Sequence, residues 1–323
     1  MAPEQWPLVV RQLETLLEEW TVLRQAPCRA HINLTGGEPF AHPGFLPLLE
    51  TLARKRPRLS FAILTNGTLL DAATSAQLAR LKPGFVQVSL EGTEPTHDRI
   101  RGPGNFARVL GAIRLLQRAR VPVLVAFTAH RGNFTEFPAV ARLAADLRVR
   151  RVWADRFIPE GAGAAAGLQT LSPQETREFI RLLDQAAAEA KRRWFGRTEV
   201  ARHRALQFLG GSSFPYRCTA GDSLLALLPN GDVLPCRRLP LRAGNLLDAP
   251  LHEIYRDAPV LKSLRHPGQA IAGCAPCAFR HTCHGGLKCL AYAIHGDPFR
   301  GDPGCWLSEQ ERMLESVDRG MRG

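Results

Sequence analysis

Seven of the chain's eight cysteines lie in its last third, where closely spaced thiols could bind a metal ion or an iron-sulfur cluster. The last five follow the pattern Cys-x2-Cys-x5-Cys-x5-Cys, then a loop rich in Gly, Asp and Pro, then a final Cys. Clustered thiols bind zinc or iron-sulfur clusters in a reducing compartment and form disulfides in an oxidising one. The spacing therefore indicates metal. The seven are Cys218, Cys236, Cys274, Cys277, Cys283, Cys289 and Cys305.

The amino-terminal residues carry no basic segment followed by an apolar run, and no stretch reaches the roughly 18 to 20 apolar residues of a membrane span. We therefore expect a cytoplasmic protein with reduced cysteines and no membrane partner. Its 42 Lys and Arg exceed 30 Asp and Glu, which gives a net charge of +12. We interpret this charge as a solvated basic surface; an acidic partner such as a precursor peptide fits it better than nucleic acid, because no aromatic residues are interleaved.

The first 160 residues alternate between helical and strand-like patterns. Helices separating strands in this way predict parallel βαβ units, either in a barrel or in an open doubly wound sheet. The predicted helices lie near 3–23, 44–55, 71–81, 106–118 and 134–147, and a further helix, with Ser172 as its N-cap, is predicted near 173–194. The predicted strands lie at 30–34, 60–64, 85–90, 121–128 and 151–154.

Each predicted strand runs into a polar or glycine-rich segment, which favours a barrel, because the carboxyl ends of barrel strands carry the active site. The most informative segment is Gly36-Gly37-Glu38-Pro39. Its two glycines allow close approach of the backbone to a ligand, Glu38 offers an acceptor for a cationic amine, and Pro39 fixes the turn.

Together these residues resemble radical S-adenosylmethionine enzymes with a carboxy-terminal SPASM domain. Gly36 to Pro39 looks like the family motif that holds the methionine amino group of S-adenosylmethionine. The resemblance also implies that Asn66 and Ser89 lie near this cofactor, with Ser89 in the ribose-contact position, although Glu91 stands where the family usually has Asp. It implies an α/β fold: a partial (β/α)6 barrel, truncated at its amino terminus, then a small Cys-rich domain with a β-hairpin and short helices.

The resemblance further implies two auxiliary clusters, which we expect to be [4Fe-4S]. Cys274, Cys277, Cys283 and Cys305 would hold one, and Cys218, Cys236 and Cys289 the other. The family usually has three residues after the third cysteine of the array, whereas this chain has five, so Leu287 stands where the family has a cysteine. A four-iron cluster normally takes four thiolates, so the second set is one ligand short. Water, Asp222, His284 or a substrate atom would complete it, or the cluster would be smaller. Zinc remains the alternative metal.

One family feature does not occur: the catalytic [4Fe-4S] cluster is bound through Cys-x3-Cys-x2-Cys, and this chain contains no such triplet. Its ligands are therefore not supplied by this sequence. Cys28, the one other cysteine, is expected to be a core residue. Three explanations stay open: a start codon assigned too far downstream, a degenerate paralogue, or a split protein completed by another chain.

The resemblance implies an enzyme that modifies a peptide or protein by hydrogen abstraction with a 5′-deoxyadenosyl radical, helped by a reductant such as flavodoxin or ferredoxin. The alternative is a non-catalytic iron-sulfur or zinc protein that binds a precursor peptide or transfers electrons. Arg237 stands where sulfatase-maturing members carry an Asp base, which argues against formylglycine formation. The expected domains are a barrel part at 1–165, a helical bridge at 166–215 and the SPASM domain at 216–323.

Overall fold

The computed structural model describes residues 5–192, 198–201, 205–211, 216–266 and 268–307. The chain divides into two compact units, which we call the sheet unit and the cysteine unit. The sheet unit comprises Met1–Thr128, Thr135–Asp155 and Gln185–Ala201, and the cysteine unit comprises Ala129–Phe134, Arg156–Asp184 and Arg202–Gly323. The domain limits expected from the sequence stay a prediction.

A six-stranded sheet has its strands in strict chain order, β1 to β6. The pairs β1–β2, β2–β3, β3–β4 and β5–β6 are parallel. A doubly wound sheet reverses its strand order at a switch point, whereas this sheet proceeds in one direction, as a section of a barrel does. The strands are Ala30–Leu34, Leu59–Thr65, Val86–Ser89, Val123–Ala129, Arg151–Arg156 and Glu199–Val200.

Helices connect these strands, and each of the predicted helices is present. The sequence patterns did not predict α4, Glu94–Arg101, which is short and mostly polar, or α7, Gly161–Ala165, which has five residues, all Gly or Ala. The capping of α8 by Ser172 is confirmed, because Glu175 N donates to Ser172 Oγ at 3.2 Å and Ser172 N donates to a Glu175 carboxylate oxygen at 2.7 Å. The predicted end of α8 at Trp194 lies outside the described residues. The helices are α1 Trp6–Arg24, α2 Phe45–Arg54, α3 Ala72–Leu81, α4 Glu94–Arg101, α5 Asn105–Arg118, α6 Phe137–Asp146, α7 Gly161–Ala165 and α8 Pro173–Arg192.

The core of the sheet unit lies between its central strands and the covering helices. Phe61, Ala62 and Ile63 in β2 are consecutive and buried, as expected for a parallel strand covered on both faces. Leu49 and Leu78 contribute fully buried side chains from α2 and α3. This packing fixes the strands whose carboxyl ends carry the predicted cofactor residues.

Glu136, just before α6, joins the start of α4 to the rest of the sheet unit. Its carboxylate accepts hydrogen bonds from Thr93 N at 2.7 Å, Thr93 Oγ1 at 2.8 Å and Thr96 Oγ1 at 2.5 Å. Partial burial alone would raise the pKa of Glu136, but the bonds from Thr96 and Thr93 and the charge of Arg99 lower it below its ordinary value.

The cysteine unit contains a three-stranded antiparallel sheet, in the order β7, β8, β9, followed by short helices. The predicted hairpin is present. Its turn needs glycine, because Gly231 has φ +91° and an added methyl would lie 2.6 Å from Asn245 Oδ1. No helix in the described part of the chain is long and apolar enough to cross a membrane. The strands are Ala226–Leu227, Asp232–Leu234 and Gly244–Asn245, and the helices are α9 Leu251–Asp257, α10 Pro259–Arg265, α11 Arg280–Cys283 and α12 Lys288–His295.

Candidate functional site

Glu38 ties the loop after β1 to the end of β2. Thr65 Oγ1 donates to Glu38 Oε1 at 2.6 Å, and Asn66 N donates to Oε2 at 2.8 Å. Phe40 N adds a longer bond to Oε1 at 3.3 Å. These donors fill three of the roughly four acceptor positions of a carboxylate and leave about one for a ligand amine. The sequence predicted the amine contact and missed the link between strand ends.

Gly36 and Gly37 lie exposed beside Glu38. A methyl group added to either would meet no atom within 4 Å, and neither residue has a positive φ. Their backbone conformation therefore does not require glycine, whereas a ligand lying on this backbone would. Pro39 is buried and begins the 3-10 turn Pro39–Ala41.

Asn66 and Gly67 form a tight turn after β2. Asn66 Oδ1 accepts from Thr68 N at 2.8 Å and from Thr68 Oγ1 at 2.7 Å, which fixes the side chain. Gly67 has φ +80°, and an added methyl would lie 3.0 Å from Val88 Cγ1. Ser89 is half-buried and ends β3, the next strand of the sheet. The structure therefore places Asn66 and Ser89 at neighbouring strand ends, while their cofactor contacts stay a prediction.

Glu91 occupies a buried network that no sequence pattern indicated. It is 4% exposed, pairs with Arg101 and accepts from Thr128 N at 3.1 Å. Glu91 N donates to His97 Nδ1 at 3.0 Å, so the proton of this imidazole lies on Nε2, which contacts Asn105 Oδ1 at 2.9 Å. The segment from His97 to Arg101 thus holds the residues that follow β3.

Four cysteines of the cysteine unit line one cavity, which we call the four-cysteine pocket: Cys274, Cys277, Cys283 and Cys305. Leu206, Phe208, Phe279, Asp302 and Leu307 are among the other lining residues. A tight turn brings the first two cysteines together, since Cys277 N donates to Cys274 O at 3.0 Å. Burial and, after it, the nearby Asp302, Cys305 and Cys274 together raise the pKa of Cys283 to about 12. These are the four thiols that the family resemblance assigned to one cluster, and that assignment stays a prediction.

The other three cysteines lie together in a second place, which we call the three-cysteine cluster. Cys289 is 7% exposed within an apolar core that includes Leu239 and Leu290, and Cys218 and Cys236 pack against that core. Burial raises the pKa of the Cys218 thiol, and the neighbouring Cys236 adds to the effect. These thiols would have to lose their protons to bind iron as thiolates. Cluster binding here is therefore coupled to proton release.

The three-cysteine cluster has cationic neighbours. Lys288 is 7% exposed, and its Nζ lies 5.0 Å from the centre of the Phe299 ring. Burial lowers the pKa of Lys288, and the charge of Arg217 lowers it further, against the opposing effect of Cys218. Burial, followed by the charges of Arg217 and Lys288, lowers the pKa of His284. The proposed fourth ligands, His284 and Asp222, stay predictions.

None of the eight cysteines, all of which are described, forms a disulfide. Within the described ranges, no three Cys, His, Asp or Glu side chains are grouped as ligands of a single metal ion. The four-cysteine set is identified because its members line one pocket, and the three-cysteine set because its members lie in or against one apolar core. Cys28, expected in the core, is half-exposed, and its Sγ lies 3.6 Å from Ala26 O, so that expectation was wrong.

Two family models match the chain. The model of the radical SAM superfamily covers residues 2–144, and the SPASM model, an iron-sulfur cluster-binding domain, covers residues 218–278. The PqqA peptide cyclase of Streptomyces rochei is 30% identical over 320 residues, which span 96% of this chain and 86% of that protein. The chain belongs to the radical SAM enzymes with a SPASM domain.

Further relatives agree with this assignment. The mycofactocin maturase MftC of Mycobacterium ulcerans is 30% identical over 92% of this chain and 79% of its own length. The AdoMet-dependent heme synthase of Methanosarcina barkeri is 27% identical over 84% of this chain and 81% of its own length. The family models support S-adenosylmethionine and iron-sulfur clusters as cofactors of this radical SAM protein.

Solved structures share the fold. Streptococcus suis SuiB bound to S-adenosylmethionine has a TM-score of 0.71 at 15% identity and matches 95% of this chain and 71% of that one. The anSMEcpe structure with bound AdoMet has a TM-score of 0.68 at 20% identity and matches 97% and 84%. The radical SAM fold expected from the sequence is confirmed.

Proposed function

We propose that this radical SAM protein takes part in the modification of a peptide or protein substrate. In the family, one electron from a bound cluster would cleave a carbon–sulfur bond of S-adenosylmethionine, giving methionine and the 5′-deoxyadenosyl radical that abstracts hydrogen from the substrate. The peptide substrate is supported by two relatives named as a PqqA peptide cyclase and a mycofactocin maturase, each 30% identical to this chain. A SuiB structure bound to its precursor peptide SuiA shares the fold at 14% identity.

The observation that carries the proposal is the separation of the seven cysteines into two places. The four-cysteine pocket has the thiolate count of a complete [4Fe-4S] cluster, and the three-cysteine cluster has one fewer. The chemistry of the donors fits, because thiols in an apolar shell are the usual ligands of such clusters. We assign one auxiliary cluster to each set, and the second has an iron position that a non-thiolate ligand would complete.

The binding site for S-adenosylmethionine is proposed at the carboxyl ends of β1, β2 and β3. The remaining acceptor position of Glu38 would take the methionine ammonium, and the open backbone at Gly36 and Gly37 would lie against the methionine portion. Asn66 and Ser89 would contact the rest of the cofactor. These groups bind and orient the ligand and transfer no proton. A reductant such as flavodoxin or ferredoxin and a cytoplasmic location complete the proposal.

A second candidate function is favoured by one sequence observation: the chain contains no Cys-x3-Cys-x2-Cys. A chain without these ligands would bind a precursor peptide or carry electrons through its auxiliary clusters without cleaving S-adenosylmethionine. The two functions differ in one measurement. Release of 5′-deoxyadenosine by this chain after reduction supports the first, and its absence from a protein that holds both auxiliary clusters supports the second.

The metal assignment is tested by anaerobic reconstitution with iron and sulfide. Two clusters would give about eight irons per chain and a brown protein that absorbs visible light. Replacement of Cys28 by Ser provides a matched control, because Cys28 lies outside both cysteine sets. A colourless protein that binds zinc in place of iron would contradict the assignment.

A further inference from the structure

Arg156 and Asp302 form the most deeply buried ion pair in the described part of the cysteine unit. Their side chains are 6% and 1% exposed. Arg156 Nη1 donates to Asp302 Oδ1 at 2.8 Å, and Nη2 donates to Oδ2 at 2.5 Å. Burying two charges is costly unless further hydrogen bonds satisfy them, so a pair at this depth calls for an explanation.

Two backbone groups complete the coordination of the carboxylate. Leu287 N donates to Asp302 Oδ2 at 2.9 Å, and Gly304 N donates to Oδ1 at 2.9 Å. With the two arginine bonds, all of the roughly four acceptor positions of Asp302 are filled. Although Asp302 lines the four-cysteine pocket, it has no lone pair left for iron, so it is not a cluster ligand.

The groups held by Asp302 belong to the loops that carry cluster cysteines. Leu287 lies between Cys283 and Cys289, and Gly304 directly precedes Cys305. The backbone of Asp302 also takes part, because Cys305 N donates to Asp302 O at 2.9 Å. One carboxylate therefore joins two loops that are separate in sequence and that carry the last two thiols of the four-cysteine pocket.

Two glycines show how closely this carboxylate is enclosed. A methyl added to Gly286, where φ is +75°, would lie 2.4 Å from Asp302 Oδ2. A methyl added to Gly304 would lie 2.2 Å from Arg156 Nη1 and 2.7 Å from Thr176 Oγ1. Both positions therefore need glycine if the ion pair is to form.

We propose that Asp302 is a positioning residue for the auxiliary cluster of the four-cysteine pocket, and that Arg156 is its partner in this role. Asp302 holds the backbone at Leu287, in the loop that follows Cys283, and at Gly304 and Cys305. Arg156 neutralises a carboxylate that would otherwise repel four thiolates. This inference rests on the proposed assignment of a cluster to that pocket.

The test compares Asp302→Asn with Asp257→Asn after reconstitution. Asp257 is a matched control in the same unit, because it also pairs with an arginine, Arg256, but is 54% exposed. We expect Asp302→Asn to lose the iron of one cluster, about four of eight, or to release it to a chelator at least about tenfold faster. The electron paramagnetic resonance signal of the three-cysteine cluster should persist in the same sample.

A second pair of variants separates positioning from general stability. Arg156→Met combined with Asp302→Leu removes both charges, and apolar replacement of a buried pair often restores stability. We expect the apoprotein of this double variant to melt near the wild type while the cluster of the four-cysteine pocket stays labile. Recovery of that cluster would overturn the proposal.

The remaining outcomes are also decisive. If Asp302→Asn fails to fold, Gly304→Ala tests the same contact without removing a charge, and the same selective loss is expected. Full iron content with an unchanged rate of iron release in Asp302→Asn would overturn the inference. If Gly304→Ala has to be used instead, the same result in that variant would overturn it. Wild-type protein that binds no iron would instead refute the cluster assignment itself.

Discussion

Replacing Glu38 by Ala should loosen the end of β2. The substitution removes the acceptor of Asn66 N and of the buried Thr65 hydroxyl, which now bond the carboxylate at 2.8 Å and 2.6 Å. A hydrogen bond to a charged group contributes about 1.5 to 3 kcal/mol, and each 1.4 kcal/mol is a factor of ten. We expect hydrogen exchange at the Asn66 amide to accelerate about 10- to 150-fold through local opening.

Glu38→Gln separates the linking role from the charge. The glutamine oxygen can accept from Asn66 N while its amide group donates to Thr65 Oγ1, so the link between strand ends survives. The negative charge for a methionine ammonium is lost in both variants. We therefore expect both to bind S-adenosylmethionine about 10- to 150-fold more weakly, and only Glu38→Ala to show fast exchange at Asn66.

Exchange at Asn66 is measured by nuclear magnetic resonance or mass spectrometry, and binding by equilibrium dialysis with the reconstituted protein. Glu50→Ala is the matched control, because Glu50 is an exposed glutamate on the neighbouring α2 and should change neither quantity. Unchanged exchange at Asn66 in Glu38→Ala would refute the linking role. Unchanged affinity in Glu38→Gln would refute the ammonium contact.

Three further predictions concern the cysteines, one turn and one carboxylate. Cys283→Ser and Cys289→Ser should each abolish one cluster and leave about half of the iron, whereas loss of all iron from either would show that the two sets are not independent. Gly67→Ala should lower the free energy of unfolding by about 1 to 2 kcal/mol, because Gly67 has a positive φ. Gly111→Ala inside α5 should raise that free energy by up to about 1 kcal/mol, because an added methyl meets no atom within 4 Å. Equal effects of the two variants would refute the argument from backbone strain. The lowered pKa of Glu136 means that its ionised form stabilises the fold above the ordinary glutamate pKa and that this stability is lost as the pH falls through the folded pKa. The stability difference between wild type and Glu136→Gln, followed by urea unfolding, should therefore shrink as the pH falls from about 5, and a constant difference would contradict it.

The α/β fold could be predicted from the sequence, because apolar residues recur with clear helical or strand periodicity and the strands end in polar segments. The alternation of helix and strand predicted five of the six strands, and the missing strand, Glu199–Val200, has two residues and no pattern to detect. Helix α4 was missed for a related reason: its eight residues carry little apolar periodicity. It is held by Glu136, whose contacts with Thr93 and Thr96 join residues 43 and 40 positions apart.

The candidate site was predicted less completely, because motifs identify residue types and not their partners. Gly36 to Pro39 was recognisable as a ligand-binding turn, yet the main contacts of Glu38 are with Thr65 and Asn66, which lie 27 and 28 residues further along the chain. Arg156 lies in the polar segment that follows the predicted strand 151–154. Its partner lies 146 residues away, a separation that no local pattern reveals.

The unusual spacing between Cys283 and Cys289 has a structural reason. Helix α11 ends at Cys283 and α12 begins at Lys288, and the intervening His284, Gly285 and Gly286 all have positive φ values of 50°, 79° and 75°. Such a run reverses the chain sharply, which lets Cys283 face the four-cysteine pocket while Cys289 enters the apolar core beside Cys218 and Cys236.

Leu287 completes this arrangement. It stands where a three-residue gap would place a thiol, but it is 8% exposed in the apolar core, and its backbone N–H is the group that Asp302 holds. The two additional residues thus give the chain room to supply one cysteine to each set and one backbone donor to the buried ion pair. The five-residue spacing and Asp302 therefore act together to position Cys283 and Cys289. Deleting two residues between these cysteines should lower the iron content of both cysteine sets.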